Sequence, residues 1–119
     1  MATESSPFHV GEQQVQERLG VRDEIEPWAR KVVRGHLPDE HRRFYARLPF
    51  VVTAARDRRG RPWATLLVGE PGFVRSPDAR TLAIDARPAA GDALEDAFAS
   101  GVDVGFLGIE LATRRRNRI

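Results

Sequence analysis

One stretch, residues 49–73, restricts the fold more than any other. Phe50-Val51-Val52-Thr53-Ala54-Ala55 is an apolar run rich in β-branched residues, the composition of a strand. Asp57-Arg58-Arg59-Gly60 follows as a short polar loop, and its glycine can take the positive φ that tight hairpins need. Trp63 to Val68 is the return strand. Glu70-Pro71-Gly72 then sets proline and glycine at the central positions of a type II turn. Two strands joined this way begin an antiparallel sheet.

The chain before the hairpin is helical in pattern. Residues 1–7 read as a loose terminus. Val15 and Leu19, four apart, share a face of a short helix over 13–19 that Gly20 ends. Asp23 is the expected N-cap of a second helix, with Glu26 completing a capping box and Ile25, Trp28 and Val32 forming its stripe. A third helix is expected over 39–47, with Phe44 and Leu48 inward and Glu40, Arg42, Arg43 and Arg47 outward. Beyond the hairpin, Thr81 to Ile84 reads as a third strand. Asp92 is placed to cap a short helix carrying Leu94, Ala97 and Phe98, which Gly101 ends. Residues 102–111 form the fourth strand, where Gly105 and Gly108 suggest close backbone approach, a bulge or a ligand. The expected organisation is a helical segment, 1–48, packing on a strand domain, 49–119, as one structural domain. Four antiparallel strands leave exposed edges and do not complete a barrel, so a partner or further strands are expected to finish the sheet.

Composition narrows the function classes. With 119 residues, 41% hydrophobic and 30% charged, the chain has the balance of one soluble globular domain. It has no cysteine, which excludes disulfides, thiolate metal sites and cysteine nucleophiles. No basic-then-apolar leader and no run of transmembrane length is present, so a cytoplasmic location is expected. No Gly-x-x-x-x-Gly-Lys loop occurs, and no Gly-x-Gly-x-x-Gly opens a helix. His9, His36 and His41 lie in separate segments without a metal-binding spacing, so no metal site is expected and they read as surface or helix-end residues. No serine or threonine sits in a nucleophile elbow. Asp85-Ala86-Arg87 ends a strand, where it could hold a polar ligand at the sheet rim or form an exposed ion pair. The arginine clusters, 56–61 and 114–118, allow contact with a nucleic-acid backbone, a guanidinium grip on a small phosphate, or simply a solvated loop and tail. The tail lacks the interleaved aromatics of a single-strand binder.

Several segments together resemble one family. They are Phe8-His9-Val10-Gly11-Glu12 with Gln16, Arg56-Asp57, Gly60-Arg61-Pro62-Trp63-Ala64-Thr65-Leu66-Leu67-Val68-Gly69, Pro71-Gly72-Phe73, Gly91-Asp92, and Gly108-Ile109-Glu110-Leu111 with Thr113-Arg114-Arg115-Arg116-Asn117-Arg118. They look like the bacterial flavin-nucleotide-binding proteins related to pyridoxamine 5'-phosphate oxidase. The resemblance implies a mainly β, α+β chain: an antiparallel FMN-binding split β-barrel with short N-terminal helices, here incomplete. It also implies a homodimer with FMN at the interface. The oxidase's Arg-x-Val-Leu-Leu-Lys cofactor strand corresponds to Thr65-Leu66-Leu67-Val68-Gly69-Glu70, so Thr65 and Glu70 stand where two phosphate-binding charges are expected. The cofactor residues implied are Ala64, Thr65, Leu66, Leu67, Ile84, Asp85 and Arg87, with Thr65 and Arg87 on the phosphate and Arg114 or Arg116 as further help. No catalytic side chain is assigned, and the oxidase's substrate residues have no counterpart. The resulting expectation is an FMN-dependent oxidoreductase of unknown substrate. The alternatives are a cofactor-free dimerisation or scaffold module and, third, nucleic-acid binding through the arginine tail.

Overall fold

The computed structural model describes residues 5–98 and 101–119. Its elements in chain order are α1 (Val10–Arg18), α2 (Arg22–Val32), α3 (Asp39–Ala46), β1 (Phe50–Arg56), β2 (Pro62–Val68), β3 (Val74–Asp78), β4 (Thr81–Ile84), β5 (Gly105–Glu110) and β6 (Arg115–Arg118). The protein is a small α+β chain whose sheets are antiparallel. The chain divides into two compact units, Met1–His36 and Leu37–Ile119. The boundary therefore falls before α3, which belongs with the strands, and not at residue 48.

In the first unit, α1 begins at Val10, earlier than its apolar spacing predicts. The reason is a cap that the sequence reading assigned elsewhere. His9 Nδ1 accepts from the Gly11 and Glu12 N–H groups, and Glu12 Oε2 accepts from the His9 N–H, which together make a capping box. The box expected at Asp23 is absent: Val21 is the N-cap of α2 without a side-chain bond, and Asp23 lies inside the first turn. Glu26 instead accepts from Ser6 and pairs with Arg22 and Arg30.

In the second unit the hairpin forms as its sequence dictates. β1 and β2 pair one-to-one from Phe50↔Val68 to Arg56↔Pro62. Gly60 adopts φ +77° in the loop, and Gly72 adopts φ +98° in the Glu70–Phe73 turn, both as the turn chemistry requires. The sheet order is β2-β1-β5-β6, and β3 and β4 pair separately. Among the described residues the strands do not close into a barrel.

Among the described residues the expectation of four strands is corrected to six. β3 was missed because Ser76-Pro77-Asp78 has turn composition; Arg42 of α3 holds it by donating to Ser76 Oγ and Ser76 O. β6 lies in the run read as a frayed tail, and it pairs with β5 from Leu107↔Arg118 to Glu110↔Arg115. In the other direction, the helix expected from Asp92 is a series of turns over residues 92–97; part of that expectation, at 99–100, lies outside the described residues.

The pleat gives the four-stranded sheet two unlike faces. Val51, Thr53 and Ala55 point to the buried side, with Leu67 beside them. Here α3 lies over Gly108, where an added Cβ would come within 2.8 Å of Tyr45 and 2.9 Å of Leu48 and Phe44. Tyr45 is fully buried, and its hydroxyl donates to the Asn117 carbonyl and lies 3.0 Å from Asn117 Oδ1. Arg115 pairs with Glu40 and sits over the Phe44 ring, while Arg47 pairs with Glu110. On the opposite face Leu66 and Val68 are exposed, 53% and 67%.

Candidate functional site

A cavity of about 670 Å³ lies beside the buried sheet face. Its apolar wall is built by Leu67 of β2, Leu82 and Ile84 of β4 and Phe106 of β5. The rest comes from the irregular segment after β4, chiefly Arg87, Glu95, Asp96 and Phe98. The volume is that of a small-molecule site, and the mix of apolar wall and few charged groups is the usual composition of one.

Three elements position these groups. The β1–β2 register places Leu67 opposite Val51, which turns it to the buried side. β4 pairs with β3 at Val74↔Ile84, and the Asp85 N–H donates to the Phe73 carbonyl at 2.8 Å, which fixes the exit of the chain from β4. The irregular segment is tied to the sheet by Leu94 and Ala97, which pack with Ala55, and by Thr65, whose hydroxyl donates to Asp92 Oδ2. Asp92 Oδ1 accepts from the Leu94 N–H, and the two bonds, Thr65 first, hold its carboxyl below the usual carboxylate range.

The residues singled out by sequence divide into three groups. Leu67, Ile84 and Arg87 meet in the cavity. Thr65 lies on the same side of β2 as Leu67, but its hydroxyl is engaged by Asp92. Ala64 and Leu66 face the exposed side, and Asp85 is exposed outside the cavity lining. The backbone of β2 offers something more. Bonds from the Gly69 N–H to Pro49 and from the Asp57 N–H to Arg61 bracket the ladder at its two ends. Alternation then turns Trp63, Thr65 and Leu67 toward β1 and leaves the Ala64 and Leu66 N–H groups on the free edge of the sheet. Phe106, Phe98, Glu95 and Asp96 were not anticipated, because their convergence depends on chain segments that carry no motif.

A flavin ring and its phosphate meet different surroundings here. The apolar walls and two phenyl groups suit a planar fused ring. The phosphate does not fit. Arg87 is the only cation among the described lining residues, against Glu95 and Asp96. Thr65 has spent its donor on Asp92, and Glu70 is an exposed carboxylate in the turn after β2.

The other candidates resolve into structure. Arg61 donates to Asp57 and sits 5.8 Å from the Trp63 ring centre; Arg58 pairs with Asp96 across 3.5 Å. Arg115 is taken by Glu40, whereas Arg116 and Arg118 form no ion pair among the described residues. Asn117 Nδ2 lies 3.2 Å from His41 Nδ1. No cluster of three or more metal-binding side chains occurs among the described residues, and no described helix is long and apolar enough to cross a membrane. The chain matches no protein-family model, no curated protein and no solved structure.

Proposed function

We propose that this chain is a flavin-binding protein of the split-barrel type related to pyridoxamine 5'-phosphate oxidase, with the ring held in the cavity beside β2 and β4. One observation carries the reading. Leu67 of β2 and the pair Ile84 and Arg87 at the end of β4, chosen from sequence alone, come from two separate segments and line one largely apolar cavity of about 670 Å³. In this reading Leu67, Ile84 and Phe106 bind the ring and exclude water, and Phe98 covers it. FMN is the cofactor that the resemblance names, and the poor surroundings for its phosphate leave the ring as the main source of affinity. A bound flavin would supply the redox chemistry, and the chain's part is to position it. The activity proposed is that of a flavin-dependent oxidoreductase. A homodimer, with the cofactor at its interface as the resemblance implies, completes the proposal.

A second reading, a dimerisation module without cofactor, is favoured by the engagement of Thr65 with Asp92 and by the exposed Leu66 and Val68. A visible spectrum separates the two. The purified chain is mixed with FMN or riboflavin and freed of excess. Retention of about one flavin per chain supports the first reading. A colourless protein that stays dimeric supports the second and contradicts the first.

A further inference from the structure

We infer that the cavity prefers an unphosphorylated flavin, riboflavin over FMN. The inference rests on the flavin reading above and narrows it to the charge of the ligand. Riboflavin and FMN share the ring and the ribityl chain, and they differ by a phosphate that carries about two negative charges at neutral pH. A site selecting the phosphate must offer positive charge or converging donors.

This cavity offers the reverse. Glu95 and Asp96 stand in its wall with one guanidinium, Arg87. The Asp96 carboxylate is shared with Arg58 at 3.5 Å, but both side chains are exposed and solvent screens the pair. Glu95 Oε2 accepts from the Gly91 N–H at 2.9 Å, which fixes the carboxylate, and it has no cation partner among the described residues. Thr65, whose hydroxyl is engaged by Asp92, and Pro88, which has no N–H, add no donor for a phosphate. A neutral ring meets Leu67, Ile84, Phe98 and Phe106 and none of this repulsion.

The test is a flavin-fluorescence titration of the full chain with riboflavin and with FMN, at low and at high salt. Riboflavin is expected to bind about tenfold tighter at low salt. The gap is expected to narrow as salt screens the carboxylates. Glu95→Gln keeps an acceptor for the Gly91 N–H and removes the charge. Combined with Asp96→Asn, it is expected to tighten FMN about tenfold and to leave riboflavin within about twofold. Circular dichroism checks the fold of the double variant, and Glu95→Gln alone is expected to move FMN in the same direction. FMN binding as tightly as riboflavin, or tighter, overturns this inference and leaves the flavin reading standing. Binding of neither ligand overturns both.

Discussion

The carboxylate of Asp57 accepts from the Arg59 and Arg61 backbone N–H groups, from Arg61 Nε and from Trp63 Nε1, all within one hairpin. These bonds, the Arg61 N–H foremost, hold its carboxyl far below the usual carboxylate range. A depressed native pKa contributes stability that is present above the unfolded value, near 4, and is lost as the pH falls through the native value. Asp57→Asn is therefore expected to lower the melting temperature by several degrees at neutral pH. It is also expected to flatten the fall in stability between about pH 5 and 3, read by thermal melts across that range. Tyr45 gives the opposite sign. Burial pushes its hydroxyl up to about 12, partly opposed by a bond with the Gly108 backbone. Its contribution is present below the unfolded value, about 10, and is lost as the pH rises through the native one. It is the chain's single tyrosine, so the tyrosinate absorbance of the native protein is expected to appear near pH 12 and that of the denatured chain near 10. Tyr45→Phe is expected to cost about 0.5–1.5 kcal/mol in denaturant melts. Asp57 was legible as a loop residue and not as a hub. Tyr45 was missed because its partner, Asn117, lies 72 residues away, beyond the reach of any local pattern.

At the scale of elements, the β1–β2 hairpin and α3 were legible because composition, periodicity and turn residues agreed. β6 was not. Arg115-Arg116-Asn117-Arg118 has no strand signal, and it becomes a strand because α3 supplies Glu40 for Arg115 and Tyr45 for Asn117. The irregular segment was expected to be a helix because Asp92 has the chemistry of a cap; its Oδ1 does accept from the Leu94 N–H, but residues 92–97 run as turns, tied to β2 by the Thr65 bond to Oδ2. Gly108 tests how closely α3 and the sheet fit. Gly108→Ala drives a methyl against Tyr45, Leu48 and Phe44, and it is expected to destabilise the chain by about 1–3 kcal/mol in denaturant melts. Hydrogen exchange is expected to show the β6 amides losing protection in that variant before those of β1.

For the whole molecule, the two faces of the four-stranded sheet differ in what covers them. The buried face is filled by α3, by the residues packed around Phe73 and Val74, and by the cavity. The other face exposes Leu66 and Val68, with Val52 and Leu107 in register beside Leu66 and Arg118, without an ion pair among the described residues, at the far edge. β1 and β2 are apolar at nearly every position, so the sequence pattern did not show which face lies open; that depends on what packs against it. If it joins two copies, Leu66→Glu with Val68→Glu is expected to convert a dimer into a folded monomer by sedimentation equilibrium. In the proposed reading the cavity holds the flavin. The most direct measurement titrates the full chain with riboflavin and FMN and compares it with Ile84→Trp, which fills the cavity at the point where β4 meets it. Saturable binding of flavin at about one per chain is expected, lost in the variant while circular dichroism keeps its native shape. Binding of neither flavin, or equal binding by a folded Ile84→Trp, would contradict a flavin site in this cavity.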